Sequence, residues 1–345
     1  MPKHALITLL TAIVPFSAVQ VQGATGFREL DLKDPNGSRT LHVGVWYPSA
    51  DVGPVNPVGE NAVFFGVPSI VDARPDGGSH PLVVLSHGYG GSWRNLGWVA
   101  QAQVEQGYVV AVPDHPGTTT FNRKPAEAAK LWERPHDLSR VIDAFVADPT
   151  TAGEIDDGRI AAIGHSLGGW TVAALGGARS DVAGYVLDCQ TETDLRACTL
   201  LKELGVVAGN QSNLAADLSD PRVGAIVSLD LGLARGFTPE SLAAFKIPVL
   251  VFGAGVDIGG LPAMLESGSL VENLPAATTR YAEIPDAMHF TFMQVCKPGA
   301  VEIIKNEEPG EEFVCQDPGP RDRSAIHREV TDKIVAFLAQ SIPAK

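Results

Sequence analysis

RIAAIGHSLGGW, residues 159–170, decides the fold. Its first part, Arg159–Ile163, is a short apolar run of the kind that forms a strand buried on both faces. Leu167–Gly176 then has the spacing of a helix. Between them stands Gly164-His165-Ser166-Leu167-Gly168, a G-x-S-x-G turn followed by Gly169. On a sharp strand-to-helix turn, side chains two residues either side of the serine would collide, and glycine at both places removes the clash. Such a turn lifts the hydroxyl out of the sheet and aims a helix N-terminus at it. The bare pattern also occurs in structural Gly-Ser turns. Placed between a strand and a helix, it makes Ser166 the predicted nucleophile. His165 is turned away from the hydroxyl and is expected to pack beside the turn.

The same rhythm extends on both sides. PLVVLS (81–86), YVVAV (108–112), VGAIVSL (223–229), IPVLVF (247–252) and Thr279–Ile284 are further buried strands. Helices are predicted over Trp93–Gly107, His136–Ala147 and Ser324–Gln340. Leu138, Val141, Ile142 and Phe145 share one face of the second, and Ile326, Val330, Ile334 and Phe337 one face of the last. Strands alternating with helices give an α/β class with a mostly parallel central sheet flanked by helices. Phe27–Leu32 and Thr40–Tyr47 flank Asp34-Pro-Asn-Gly37 and add an N-terminal antiparallel hairpin. Residues 48–80, rich in Pro and Gly, are expected to be a long loop. Two stretches break the rhythm, at about 185–222 and 296–322, and are expected to be surface insertions, the first a lid or pocket wall.

Composition narrows the class. With 345 residues, 45% of them hydrophobic, the chain can bury a large core as one domain, residues 25–345. A net charge of −14, with no Lys/Arg-rich run, would repel a polyanion, which argues against nucleic acid as a partner. Lys3 followed by the apolar stretch Ala5–Val14 and the small residues Ala18, Gly23 and Ala24 reads as an export signal over residues 1–24, cleaved somewhere in 18–24. The location expected is periplasmic or extracellular. No later run is long enough for a transmembrane segment. Four cysteines behind such a signal imply two disulfides. Three pairings exist; the local ones, Cys189–Cys198 and Cys296–Cys315, are favoured because each lies within one insertion. No CxxC or HExxH spacing points to a metal.

Two further motifs complete a site. His87-Gly88-Tyr89-Gly90-Gly91 follows PLVVLS, where a glycine-rich loop can offer a second oxyanion donor. The donors are assigned as the backbone N–H groups of Tyr89 and Leu167. Asp286-Ala-Met-His289-Phe290 follows the last strand, and a nucleophile–acid–histidine order makes His289 the base. The acid has two candidates at strand ends. Asp257, in Gly253-Ala-Gly-Val-Asp257, is preferred, with Asp230, in Ser228-Leu-Asp230, as the alternative. The one not used is expected to cap its loop or hold Arg235. Trp93, Trp170, Met288 and Phe290 neighbour these positions and could line a pocket or simply pack in the core.

LSHGYG (85–90), QGYVVAVPDH (106–115), IGHSLGG (163–169) and VSLD (227–230) together resemble the predicted dienelactone-hydrolase-like esterases of the α/β-hydrolase superfamily and the related platelet-activating-factor acetylhydrolases. The resemblance spans about residues 26–340. It implies an α/β-hydrolase fold, Ser166 as nucleophile, His289 as base, and Tyr89 and Leu167 as oxyanion donors. The acetylhydrolases take their acid at the position of Asp230, most other α/β-hydrolases at that of Asp257. True dienelactone hydrolases use a cysteine where Ser166 stands, so dienelactone opening is not implied. The expectation is an exported serine carboxylesterase acting on small-molecule or lipid-like esters, short acyl groups by default, with no cofactor. An amidase or peptidase on the same triad, and a silent binding protein of this fold, are the rivals.

Overall fold

The computed structural model describes residues 24–343 apart from 35, 36, 38, 193 and 207–210. The expected export signal therefore lies outside the described residues except for Ala24. Ten strands form one sheet: β1 Ala24–Leu32, β2 Leu41–Ser49, β3 Asn56–Val58, β4 Val67–Val71, β5 Ser79–Ser86, β6 Val109–Asp114, β7 Glu154–His165, β8 Val223–Leu229, β9 Val249–Val256 and β10 Thr279–Met288. Their order is β10-β9-β8-β7-β5-β6-β2-β1-β4-β3. From β10 to β6 every neighbouring pair is parallel, and the β1–β2 hairpin joins antiparallel through β2 and β6.

The apolar runs become central strands because both faces are covered. In β5, Leu82 and Val84 face one core while Val83 and Leu85 face the other. β7 divides in the same way, Ile160 and Ala162 against Ala161 and Ile163. The first core is roofed by the helices Glu133–Ala147 and Leu167–Leu175, the second by Gly97–Val104 and Arg323–Ser341. The predicted inward faces of the second and last helices are buried. The helix expected over 93–107 instead opens with a 3-10 turn, Trp93–Leu96, before Gly97–Val104.

Residues 48–80 are not the single loop expected. They carry β3 and β4, which pair with each other, and β4 lies parallel to β1. β3 is the edge strand, and Pro57 and Pro68 face each other across the β3–β4 pair at this end of the sheet. The 185–222 stretch contains the helices Val182–Thr191 and Arg196–Glu203, joined by the Cys189–Cys198 disulfide. Cys296–Cys315 closes the other segment around the helix Ala300–Glu307. Among the described residues no helix is long and apolar enough to cross a membrane.

Candidate active site

The parallel strands all end at one edge, and the chemistry-bearing residues follow those ends: His87 after β5, His115 after β6, Ser166 after β7, Asp230 after β8 and His289 after β10. Ser166 adopts φ 56° and ψ −123°, a conformation few non-glycine residues take. Its neighbours explain how the turn tolerates this. A Cβ on Gly164 would overlap the Gly168 carbonyl, and one on Gly168 would overlap the Ser86 carbonyl. The elbow thus presses against the end of β5, with room only for glycine. Gly88 of the following loop passes close as well, since a Cβ there would stand 3.0 Å from that of Ser166. Leu167 opens the helix, so its N–H belongs to the first turn that intrahelical bonds leave free.

His289 sits in a 3-10 turn after β10 and is held from several sides. Its Nδ1 lies 2.6 Å from Asp230 Oδ2. Its carbonyl accepts from His165 Nε2 at 2.9 Å, and the two rings are 4.7 Å apart. Burial first, and then the neighbouring His289, push the His165 pKa well below its ordinary value, so His165 stays neutral. His165 directly precedes Ser166, so these contacts tie the His289 turn to the elbow. The turn itself is pinned by Thr291. Its hydroxyl accepts from Met288 N at 3.0 Å and donates to Asp317 at 2.7 Å, and its carbonyl accepts from His327 Nε2. His327 lies stacked on Trp98 inside the core.

Asp257, the acid preferred from sequence, does not meet His289. Asp257 is exposed, and its carboxylate accepts from the backbone N–H groups of Gly259, Gly260 and Leu261, capping its own loop. Asp230 is 3% exposed and, besides His289, accepts from Ala254 N at 2.8 Å. Register gives the reason. β8 is the direct neighbour of β7, His165 pairs with Leu229, and Ser166 N donates to the Leu229 carbonyl at 3.0 Å. Asp230 is the next residue. β9 is one strand further away, and Leu229 pairs with Phe252, so Asp257 lies beyond the level of Asp230 by four residues, ~13 Å of extended chain. Arg235 is held by Asp188, not by either candidate.

The four pocket candidates part company. Trp93 lies in the second core against Phe27 and Trp46. Trp170 lies in the first core, stacks on Phe237, and lines a small cavity of about 20 Å³ with Tyr185 and Leu233. Met288 is buried at the end of β10. Phe290 is partly exposed, edge-on to the His289 ring at 5.1 Å and in contact with Phe313 of the Cys296–Cys315 segment. Tyr89 is partly exposed and packs on the first core. Among the described residues no group of three or more His, Cys, Asp or Glu side chains is placed to hold a metal ion.

A buried polar group behind the site was not foreseen. Arg134 and Asp137, on the apolar face of Glu133–Ala147, join Ser86, His87 and His115 in one network. A signal was present, since two charged residues stand three apart on the same face as Leu138 and Val141. Glu266, also buried, accepts from Ala234 N at 2.9 Å, and burial pushes its pKa up to about 8.

The family model described as alpha/beta hydrolase family matches residues 83–295. Cutinase 2 of Thermobifida cellulosilytica is 20% identical over 254 residues, covering 71% of this chain and 75% of that one. Cutinase cut1 of Thermobifida fusca is 20% identical over 254 residues, covering 71% and 62%. Among solved structures, a ferulic acid esterase from Streptomyces cinnamoneus superposes with a TM-score of 0.64 at 22% identity, covering 95% of this chain and 93% of that one. A puromycin-hydrolyzing peptidase of Mycobacterium tuberculosis gives 0.51 at 16%, covering 92% and 40%. These likenesses show the fold.

Proposed function

The chain belongs to the alpha/beta hydrolase family, and from that premise we propose that it is an exported serine carboxylesterase using Ser166, His289 and Asp230. The observation that carries this is the strained Ser166 elbow, whose preceding residue His165 contacts His289, an imidazole with its Nδ1 2.6 Å from the buried Asp230 carboxylate. Asp230 fixes the proton on Nδ1, which leaves Nε2 as the basic nitrogen. His289 takes the Ser166 proton as the hydroxyl oxygen attacks the ester carbonyl. The oxyanion is received by the N–H groups of Tyr89 and Leu167, each worth ~3–4 kcal/mol by comparison with measured holes. The protonated imidazole gives its proton to the leaving alcohol. Water then repeats the sequence on the acyl-enzyme and returns the free serine.

Ester bonds are favoured over amides because the relatives named above include cutinases. Short acyl groups on small or lipid-like esters are the default, since Tyr89 and Phe290 offer only a partly exposed apolar rim. Two disulfides support an oxidising destination, in keeping with the signal expected at residues 1–24. The test is turnover of p-nitrophenyl acetate and butyrate, with the matching anilides alongside, by wild type and Ser166→Ala. Ester turnover lost in Ser166→Ala supports the proposal. Faster anilide turnover moves the assignment to an amidase, and silence on both moves it to a binding protein.

A further inference from the structure

Arg134 is 1% exposed, and among the described residues no carboxylate forms an ion pair with it; the Asp137 carboxylate pairs instead with Arg39. Its guanidinium donates to neutral oxygens in three directions, Nη1 to Thr118 Oγ1 being one. Nε donates to Thr171 Oγ1 at 2.8 Å, and that hydroxyl donates to the Leu167 carbonyl at 2.8 Å. Nη2 donates to the His87 carbonyl and to Ser86 Oγ, the latter at 3.1 Å. Leu167 carries one oxyanion N–H, and His87 begins the loop that carries the other. We infer that Arg134 is a positioning residue whose guanidinium fixes the separation and aim of the two oxyanion donors, Leu167 and Tyr89. This rests on the esterase proposal above.

The proton pattern behind Arg134 is determined by who can donate. Arginine only donates, so the Ser86 hydroxyl accepts from it and gives its own proton to His115 Nε2, 3.0 Å away. His115 then carries its proton on Nδ1 and donates to Asp137 at 2.9 Å. Burial, followed by the charge of Arg134, holds His115 neutral. The His115 backbone N–H donates to His87 Nε2 at 3.1 Å, which leaves the His87 proton on Nδ1. That Nδ1–H donates to the Gly88 carbonyl at 2.7 Å, and Gly91 N–H donates to the same oxygen at 3.1 Å. The Gly88 carbonyl and the Tyr89 N–H belong to one planar trans peptide, so holding the oxygen fixes where the N–H points. Arg134 grips the preceding peptide through the His87 carbonyl.

Ser86, His115 and Asp137 thus repeat the order of a catalytic triad without being one. All three are fully buried, and Arg134 holds the serine oxygen. Their work is to hold a loop rather than to attack a substrate. The arrangement also accounts for two charges on a helix face that should be apolar. A fixed fork spans two elements that a lysine, with a single ammonium, could not bridge in the same way.

The experiment compares wild type, Arg134→Lys and Thr171→Val. Active sites are first counted by fluorophosphonate titration and folding by circular dichroism. Then kcat and KM on p-nitrophenyl butyrate, and inhibition by butylboronic acid, are measured per titrated site. Arg134→Lys is expected to lose roughly 10- to 100-fold in kcat, the scale of an ångström-sized displacement of catalytic groups. KM should change little, and boronate affinity should weaken in parallel because its tetrahedral adduct needs the same donors. The midpoint of the kcat–pH profile should not move, since His289 and Asp230 are untouched. Folded variants with wild-type kcat per titrated site overturn the inference. If Arg134→Lys does not fold, Thr171→Val, which cuts only the link to Leu167, decides by the same criterion. A wild type that neither turns over esters nor titrates overturns the esterase proposal instead, and the inference with it.

Discussion

Replacing Asp230 by Asn should nearly abolish catalysis. The carboxylate accepts two bonds, from His289 Nδ1 at 2.6 Å and from Ala254 N at 2.8 Å, in a place 3% exposed. An amide has a single acceptor oxygen. If that oxygen faces Ala254, its NH2 faces His289 and forces the imidazole proton onto Nε2, the nitrogen that must accept from Ser166. If it faces His289, a buried backbone N–H is left against a second donor, at a cost of about 1–3 kcal/mol. Either way the negative charge that stabilises the imidazolium is gone. The comparable change in the well-characterised Ser-His-Asp template costs about 10⁴-fold in kcat, or ~5 kcal/mol at 1.36 kcal/mol per decade. Asp257→Asn is the control. Its Oδ1 takes Gly259 N and Leu261 N, both at 2.9 Å, which an Asn oxygen can keep. It should retain activity within about twofold, the scale of surface substitutions. The assay is p-nitrophenyl butyrate hydrolysis by both variants after circular dichroism shows wild-type folding. An Asp257→Asn variant that loses orders of magnitude while Asp230→Asn stays within tenfold of wild type would refute the reasoning.

Gly168→Ala places a methyl against the Ser86 carbonyl, and the protein should be destabilised by several kcal/mol or fail to accumulate in soluble form, as measured by urea denaturation and yield. Glu266 has its pKa raised by burial from 4.5 to about 8, so the folded state binds the extra proton between those values. Its contribution is fully present below pH 4.5 and is lost as pH rises towards 8, so Glu266→Gln should gain stability relative to wild type from pH 5 to pH 8, by a few kcal/mol in urea titrations; a difference that does not vary with pH contradicts this. Removing Cys296 and Cys315 together, each to Ser, opens a loop of 19 residues and should cost about 3 kcal/mol. Because Phe313 of that segment touches Phe290 beside His289, KM on p-nitrophenyl butyrate should also rise.

The central sheet was legible because parallel strands buried on both faces leave continuous apolar runs, and β8 matches its expected bounds, Val223–Leu229. The elbow was legible for the same reason as its glycines, which have no room for a Cβ. β3 and β4 were hidden because strands of three and five residues containing Pro57 and Pro68 look like loop. Asp257 is preferred to Asp230 from sequence as partner of His289, but both end strands, and only pairing register separates them. Trp93 shows the limit of proximity in sequence: two residues after the glycine-rich loop, it turns into the opposite core and stacks on Phe27. The Arg134 network draws on the ends of β5 and β6 and on two helices, a convergence that no local pattern encodes.

The most direct test of the account is mass spectrometry of the mature protein after reaction with a fluorophosphonate, followed by peptide mapping. The account predicts a single adduct on the peptide that contains Ser166, none on Ser166→Ala, and loss of ester turnover in step with labelling. An adduct on another residue, or ester hydrolysis that survives in Ser166→Ala, would contradict it.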